Sequence, residues 1–397
     1  MKNGVHKEWR LTCLEIDNWR NFSHVSVPLA SRVLLVGPNA SGKSNFLDVF
    51  RFVRDIASSS SERGGGFQNA LGLRGGVSKV RSLAARANSD IALRFQVGTD
   101  ESSNLWAYRL HFGQTSQDES PVILEEVIEN NGQVIRRRPD DQDKRDPRRL
   151  TATALEQLGE NESFRELADF FASVEYLHIV PQLIRDPQRS LGIRHDPYGG
   201  DFLETVAGIN SRDRSTRLTR IEKALQKILP QIKDLEFHQD KKTGKPHLRA
   251  KYQHWRPQGA WQNEDQFSDG TLRFIGLLWS LLESGGPILL EEPELSLHPA
   301  IIQRLPGLLA RMHAVSGRQV LITTHSADLL KDPGIGLDEV LLLRPDENGT
   351  QITTAKNIRD VDRLLEDKIS LSDLVMPLTA PDQVNQLSFA FGGGQVS

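Results

Sequence analysis

Fifteen residues constrain this chain more than any others: Val-Leu-Leu-Val-Gly-Pro-Asn-Ala-Ser-Gly-Lys-Ser-Asn-Phe-Leu at positions 33–47. The apolar run 33–36 predicts a short buried parallel strand, and residues 37–44 satisfy G-x-x-x-x-G-K-[ST] without a mismatch. Gly37 and Gly42 allow a tight turn whose amides point inward at an anion, and Lys43 opens a helix whose positive end serves the same site. In this reading Lys43 reaches the β- and γ-phosphates of a nucleotide and the Ser44 hydroxyl ligates Mg²⁺. Phe46, Leu47, Val49, Phe50 and Val53 make the following helix amphipathic.

At 397 residues the chain predicts two domains, or one large α/β domain with an insertion. The single cysteine, Cys13, leaves no internal disulfide and no cysteine metal cluster, which suits a reducing compartment. No stretch approaches the ~20 apolar residues of a membrane span, and the first residues lack an apolar signal core. A soluble cytoplasmic protein without a membrane partner is expected. The net charge of -3 neither favours nor excludes nucleic acid, because a binding face can be local.

Residues 11–16 and 25–29 alternate as strands ahead of the phosphate loop, joined through Asn18-Trp19-Arg20-Asn21-Phe22. Residues 58–66 predict a flexible stretch and 72–76 a loop. Strands follow at 91–97 and 106–112, with a hairpin around Asn130-Asn131-Gly132. The arginines at 136–138 and 144–149 are interleaved with Asp140, Asp141, Asp143 and Asp146, predicting a solvated charged loop. Helices are expected at 152–158, 162–172, 202–209 and 217–229, a strand at 175–180, and a hairpin from 234–239 and 247–252. Residues 391–397 look like a flexible end, and the alternative is that Leu387, Phe389 and Phe391 dock as a short strand in a partner.

The last third carries the second motif. Residues 287–294 form an apolar strand ending in Glu291 and Glu292, which supplies what a nucleotide hydrolase needs beside a P-loop: one carboxylate on the Mg²⁺ side and one for the attacking water. Residues 319–326 form another buried strand ending in Thr-Thr-His-Ser, and His325 therefore lies at a strand's carboxyl end, where open parallel sheets bind ligands.

The order of P-loop (37–44), a signature-like Phe-Ser-Asp-Gly-Thr (267–271), the acidic strand (288–292), Glu-Leu-Ser-Leu-His-Pro (294–299) and His325 resembles the ATP-binding-cassette ATPases of the SMC, RecF and OLD branch. Within it the chain resembles the stand-alone AAA_21-type ATPases, and residues 18–22 are similar to that branch's N-[FW]-R-x-F segment. The resemblance implies an α/β fold: an ABC-type P-loop NTPase head with an N-terminal antiparallel β subdomain and an α/β insertion before the signature helix. The head would comprise residues 1–130 and 262–375, the insertion or lid 131–261, and a tail 376–397.

By the same resemblance, ATP would be held by Gly37, Pro38, Asn39, Ala40, Ser41, Gly42, Lys43, Ser44 and Asn45, with Arg20 nearby, and Mg²⁺ by Ser44 and Glu291. Two copies would close over two nucleotides, so that Ser268, Asp269 and Gly270 of one reach the γ-phosphate held by the other. Glu292 would be the catalytic base, His325 the γ-phosphate sensor, and Lys43 a catalytic cation. Two positions depart from the pattern. Glu291 replaces the usual aspartate and is one methylene longer, and Asp269 brings a negative charge where a phosphate would arrive. Gln68 and Gln96 are the two candidates for the family's loop glutamine.

Two functions follow from these features. The first is an ATPase that dimerises around ATP, or forms a higher homo-oligomer, and acts as a switch in DNA maintenance or anti-phage defence with a separate effector such as a nuclease or toxin. DNA would be met by Arg212, Arg214, Arg217 and Arg220, which only Asp213 offsets, although a solvated surface explains them equally well. The second is a slowly hydrolysing, ATP-gated scaffold that restrains a partner protein without touching DNA.

Overall fold

The computed structural model describes residues 8–58, 65–84, 90–114, 120–186, 196–253, 259–359, 361 and 370–380. β1 (Arg10–Trp19) and β2 (Phe22–Pro28) form an antiparallel hairpin around Arg20 and Asn21, with Asn18 and Arg20 at positive φ. Both aromatics of this turn, Trp19 and Phe22, are fully buried. β3 (Arg32–Val36) then leaves for a second sheet, while β4 (Ile91–Gly98), β5 (Trp106–Gly113), β6 (Val122–Asn130) and β7 (Gln133–Arg138) complete the first in the order β2-β1-β4-β5-β6-β7. Alternation of buried residues along β4 from Ile91 to Val97 fits a sheet with one face on the core.

The second sheet also has six strands. β8 (Glu175–Leu177), β12 (Ile288–Glu291), β13 (Val320–Thr324), β3 and β14 (Val340–Asp346) run parallel, and β15 (Gly349–Thr354) closes the edge antiparallel to β14. Every residue of β3 is buried, because the sheet is covered on both faces. Val33 and Leu35 enter the core shared with the antiparallel sheet, whereas Leu34 and Val36 pack with Val340 and Leu342 on the other side. The helix Lys43–Ala57 belongs to the first of these cores. Its Phe46, Phe50 and Phe52 meet Phe22, Phe95 and Trp19 at 6.2, 6.1 and 5.1 Å between ring centroids. Each such ring contributes roughly 1.5–3 kcal/mol by burial.

A third, smaller layer combines the helices Phe202–Gly208 and Ser211–Ile228 with β9 (Ile232–Gln239), β10 (Pro246–Tyr252) and β11 (Ala260–Asn263), ordered β11-β10-β9. It shares a core with the helix Asp269–Leu282 through Leu218, Ile221, Leu225, Leu272, Ile275 and Trp279. Residues 131–177, placed in the insertion from sequence, contribute β7 to the antiparallel sheet and β8 to the nucleotide sheet.

Three local expectations are corrected. The loop 136–149 is not uniformly solvated, since Arg138 is fully buried and donates to Asp143 at 2.8 and 3.0 Å and to Glu126 at 3.3 Å. Residues 152–158 are turns rather than a helix, because the buried Glu126 carboxylate accepts the Ala154 and Leu155 amides. The strand expected at 175–180 stops at Leu177, and Val180 leads into a short helix beginning with Pro181. The flexible stretch expected at 58–66 lies outside the described residues over 59–64, and so do Leu387, Phe389 and Phe391.

Candidate functional site

The phosphate loop connects β3 to the helix Lys43–Ala57. Gly42 has φ 96°, and a Cβ there would lie 2.0 Å from Asn21 Nδ2, so both conformation and space require glycine. Asn21 braces the loop. Its Nδ2 donates to the Ser41 carbonyl at 3.0 Å and to Thr350 Oγ1 at 2.6 Å, and its Oδ1 accepts from Asn45 at 2.8 Å. Thr350, on β15, donates to the same Ser41 carbonyl at 2.9 Å. Sequence reasoning missed Asn21 and Thr350 as loop supports, and Thr350 reaches the loop across 309 positions, which leaves no local signal. Arg20 pairs with Asp48 of the helix at 2.8 Å, alongside Arg74.

Lys43 Nζ donates to the carbonyls of Gly37 and Pro38 at 2.9 and 3.0 Å. Burial pulls its pKa down to about 8, against the opposing pull of Glu292, Glu291 and Glu294. Asn39 and Ala40 stand exposed at the loop's mouth, whereas the Ser41 hydroxyl is buried with no hydrogen-bond partner.

Opposite the loop, the carboxyl end of β12 presents Glu291. One of its oxygens accepts from the Ser44 hydroxyl and the other from the Tyr176 hydroxyl on β8. Glu292, at φ 44°, is held by its amide, which donates to Thr323 O at 3.1 Å and Thr323 Oγ1 at 3.2 Å. Its carboxylate meets His325 Nε2 at 3.3 Å. Burial and nearby Lys43 keep the His325 pKa below its ordinary value despite the opposing pull of Glu292. The buried Glu294 accepts from Thr324 Oγ1 and from the His325 amide at 3.2 Å, fixing the backbone of the histidine.

Ser44 and Glu291 offer hard oxygen ligands in direct contact. That donor set suits Mg²⁺, which binds through one or two protein oxygens, substrate phosphates and water. Among the described residues there is no cluster of three or more His, Cys, Asp or Glu suited to a metal.

The signature-like segment starts the helix Asp269–Leu282, with Ser268 as its N-cap accepting from the Thr271 amide at 3.2 Å. A Cβ on Gly270 would stand 2.4 Å from the Ser296 carbonyl, so this turn packs tightly against the segment after Glu294. Asp269 is paired with Arg185 at 2.6 Å and accepts from Gln182 at 3.2 Å, which offsets its charge. Neither glutamine weighed from sequence lies at the strand ends. Gln68 donates to the carbonyls of Pro121 and Thr151, and Gln96 sits within the antiparallel sheet on β4. Gln182, five residues after β8, bonds the signature-like Asp269 instead.

The four arginines of the helix Ser211–Ile228 differ in what holds them. Arg214 donates to the carbonyls of Val206, Ala207 and Ile209, closing the preceding helix, and lies 4.1 Å over the Phe237 ring. Arg217 pairs with Glu283 at 3.0 Å and stacks on Trp279, leaving Arg212 and Arg220 exposed.

Residues 33–331, about three quarters of the chain, match the AAA_21 family model, described as "AAA domain, putative AbiEii toxin, Type IV TA system". No curated protein matches the chain. Similar solved structures include an SMC head bound to the C-winged helix domain of ScpA, at 11% identity and a TM-score of 0.49, covering 86% of this chain and 96% of that one. The SMC head domain from Thermotoga maritima is 14% identical with a TM-score of 0.46, covering 87% and 98%. An Smc head with an extended coiled coil, bound to the C-terminal domain of ScpA derived from Pyrococcus furiosus, is 11% identical with a TM-score of 0.48, covering 91% and 99%. The family match runs from the strand before the phosphate loop to beyond His325, and on that extent the chain belongs to the AAA_21 family.

Proposed function

We propose that the chain binds ATP with Mg²⁺ and hydrolyses it slowly in the cytosol. The cycle would act as a homodimeric or higher-order switch for a separate effector, such as a nuclease or toxin, in DNA maintenance or anti-phage defence. The observation carrying this reading is the convergence of Ser44, Glu291, Glu292 and His325 at the carboxyl ends of adjacent parallel strands and at the start of the phosphate-loop helix.

The loop amides and the start of the helix Lys43–Ala57 receive the phosphates, and Lys43 exchanges the Gly37 and Pro38 carbonyls for them. Ser44 and Glu291 would hold Mg²⁺, which when bound neutralises charge on the β- and γ-oxygens. Glu292 accepts the proton of the attacking water, with His325 Nε2 orienting its carboxylate and standing beside the γ-phosphate. Ser268 and Gly270 of a second copy complete the pocket, and the Arg185 partner of Asp269 makes that approach of two negative charges tolerable. Gln182 then serves as the loop glutamine linking β8 to the signature helix. The 202–263 layer is the partner-facing lid.

Phosphate release and sedimentation with and without ATP test this reading. Wild type should hydrolyse slowly and dimerise with ATP, Glu292→Gln should dimerise without turnover, and Ser268→Ala should lose ATP-dependent dimerisation. A wild type that stays monomeric in MgATP overturns it. The commitment of Arg214 and Arg217 to internal contacts favours the scaffold alternative, in which the switch restrains a protein and leaves DNA untouched. Among the described residues no helix is long and apolar enough to cross a membrane.

A further inference from the structure

Glu291 is one methylene longer than an aspartate would be, and a longer acid has more ways to present its oxygens to a cation. In this protein both oxygens are already committed, one to Ser44 and the other to the Tyr176 hydroxyl. Tyr176 is on β8, whose register places it opposite Leu289, two positions before Glu291 on β12. Its ring is pinned from the phosphate-loop helix by the Arg51 guanidinium, 4.0 Å from the ring centroid, and the residue is 8% exposed. The hydroxyl is therefore delivered by a rigid edge strand and a packed ring rather than by a mobile side chain.

We propose that Tyr176 is a positioning residue that sets metal selectivity. It occupies one oxygen of Glu291, so that the carboxylate meets the cation through its Ser44-side oxygen alone. The inference rests on the ATP reading above. Mg²⁺ demands a compact octahedral shell and accepts single carboxylate oxygens, whereas the larger Ca²⁺ takes more ligands and readily uses both oxygens of a carboxylate. Denying the second oxygen disfavours Ca²⁺, and fixing the first compensates for the freedom of the extra methylene.

The test uses the full chain and a fluorescent ATP analogue at fixed concentration, titrated separately with Mg²⁺ and Ca²⁺ and read as metal-dependent binding. Tyr176→Phe keeps the ring over Arg51 and removes only the donor. It should raise the Mg²⁺ midpoint about fivefold, the equivalent of one hydrogen bond, and lower the Mg²⁺ over Ca²⁺ preference by at least that factor. Glu291→Asp is a second, independent variant, because the shorter acid cannot reach both hydroxyls. Its preference should also fall, and adding Tyr176→Phe to it should change nothing further. Metal midpoints in folded Tyr176→Phe that match wild type within twofold, or full additivity in the double variant, overturn the proposal. A wild type without any metal-dependent nucleotide binding overturns the ATP reading itself, a result distinct from a wild type that binds and a Tyr176 variant that behaves identically.

Discussion

The Ser44 hydroxyl donates to a carboxylate oxygen of Glu291 across 247 positions of sequence. The bond spans the cleft between the phosphate-loop helix and β12, and it joins two hard oxygen donors of the kind that suits Mg²⁺. Around it the structure supports four further expectations.

Lys43→Ala removes the one cation of the loop, which in the free protein rests on two loop carbonyls. A hydrogen bond to a charged group contributes roughly 1.5–3 kcal/mol, so ATP affinity should fall at least tenfold. Thermal melting without nucleotide should change little. Isothermal titration and a melting curve read the two quantities separately.

Thr350→Val keeps the volume of the side chain but removes its donation to the Ser41 carbonyl and its acceptance from Asn21. Two buried hydrogen bonds at about 1 kcal/mol each predict about 2 kcal/mol of lost stability. Because the loop itself is slackened, ATP affinity should fall with it. Chemical denaturation combined with nucleotide titration checks whether both move.

Asp48 is buried among Arg74, Arg20 and Arg51. Burial raises its pKa, but the pull of Arg74 and then of Arg20 and Arg51 holds it below the ordinary 3.8. A depressed carboxylate stabilises the fold fully above its unfolded pKa, and this contribution is lost as pH falls through the lower folded value. Wild type should thus lose stability below about pH 4. Asp48→Asn should be destabilised by about 2–3 kcal/mol at pH 7, because Arg74 keeps only Asp55 as its acid while Arg20 and Arg51 lose theirs, and should show a flatter acid limb. Urea titrations at pH 7, 4 and 3 measure both.

Arg214→Ala should destabilise the protein by about 2–3 kcal/mol, since three carbonyls at the end of the helix Phe202–Gly208 lose their donor. Arg212→Ala and Arg220→Ala, at exposed positions, should stay within about 0.5 kcal/mol of wild type. If the chain meets DNA through this helix, a salt-sensitive gel shift in ATP should weaken in the Arg212 and Arg220 variants while their melting curves stay fixed. An unchanged shift removes this helix from any DNA contact.

Sequence determined the parts whose physics is local. The phosphate loop needs its glycines and lysine at fixed spacing, β3 and β13 are buried throughout because both faces of their sheet are covered, and Ser268 caps its helix from the adjacent position. Glu291, Glu292 and His325 were legible because each ends an apolar strand. Tertiary structure decided whatever depends on which side chain arrives from far away. Arg20 turned toward Asp48, Asn21 and Thr350 took over the loop, and Tyr176 reached Glu291 from an edge strand that sequence had placed in the insertion. Arg138, Arg214 and Arg217 read as surface charge in a linear chain, and only packing brings the carboxylates, carbonyls and rings that hold them. A pattern of residue types specifies backbone and burial at short range, whereas a long-range ion pair exists only once the chain has closed.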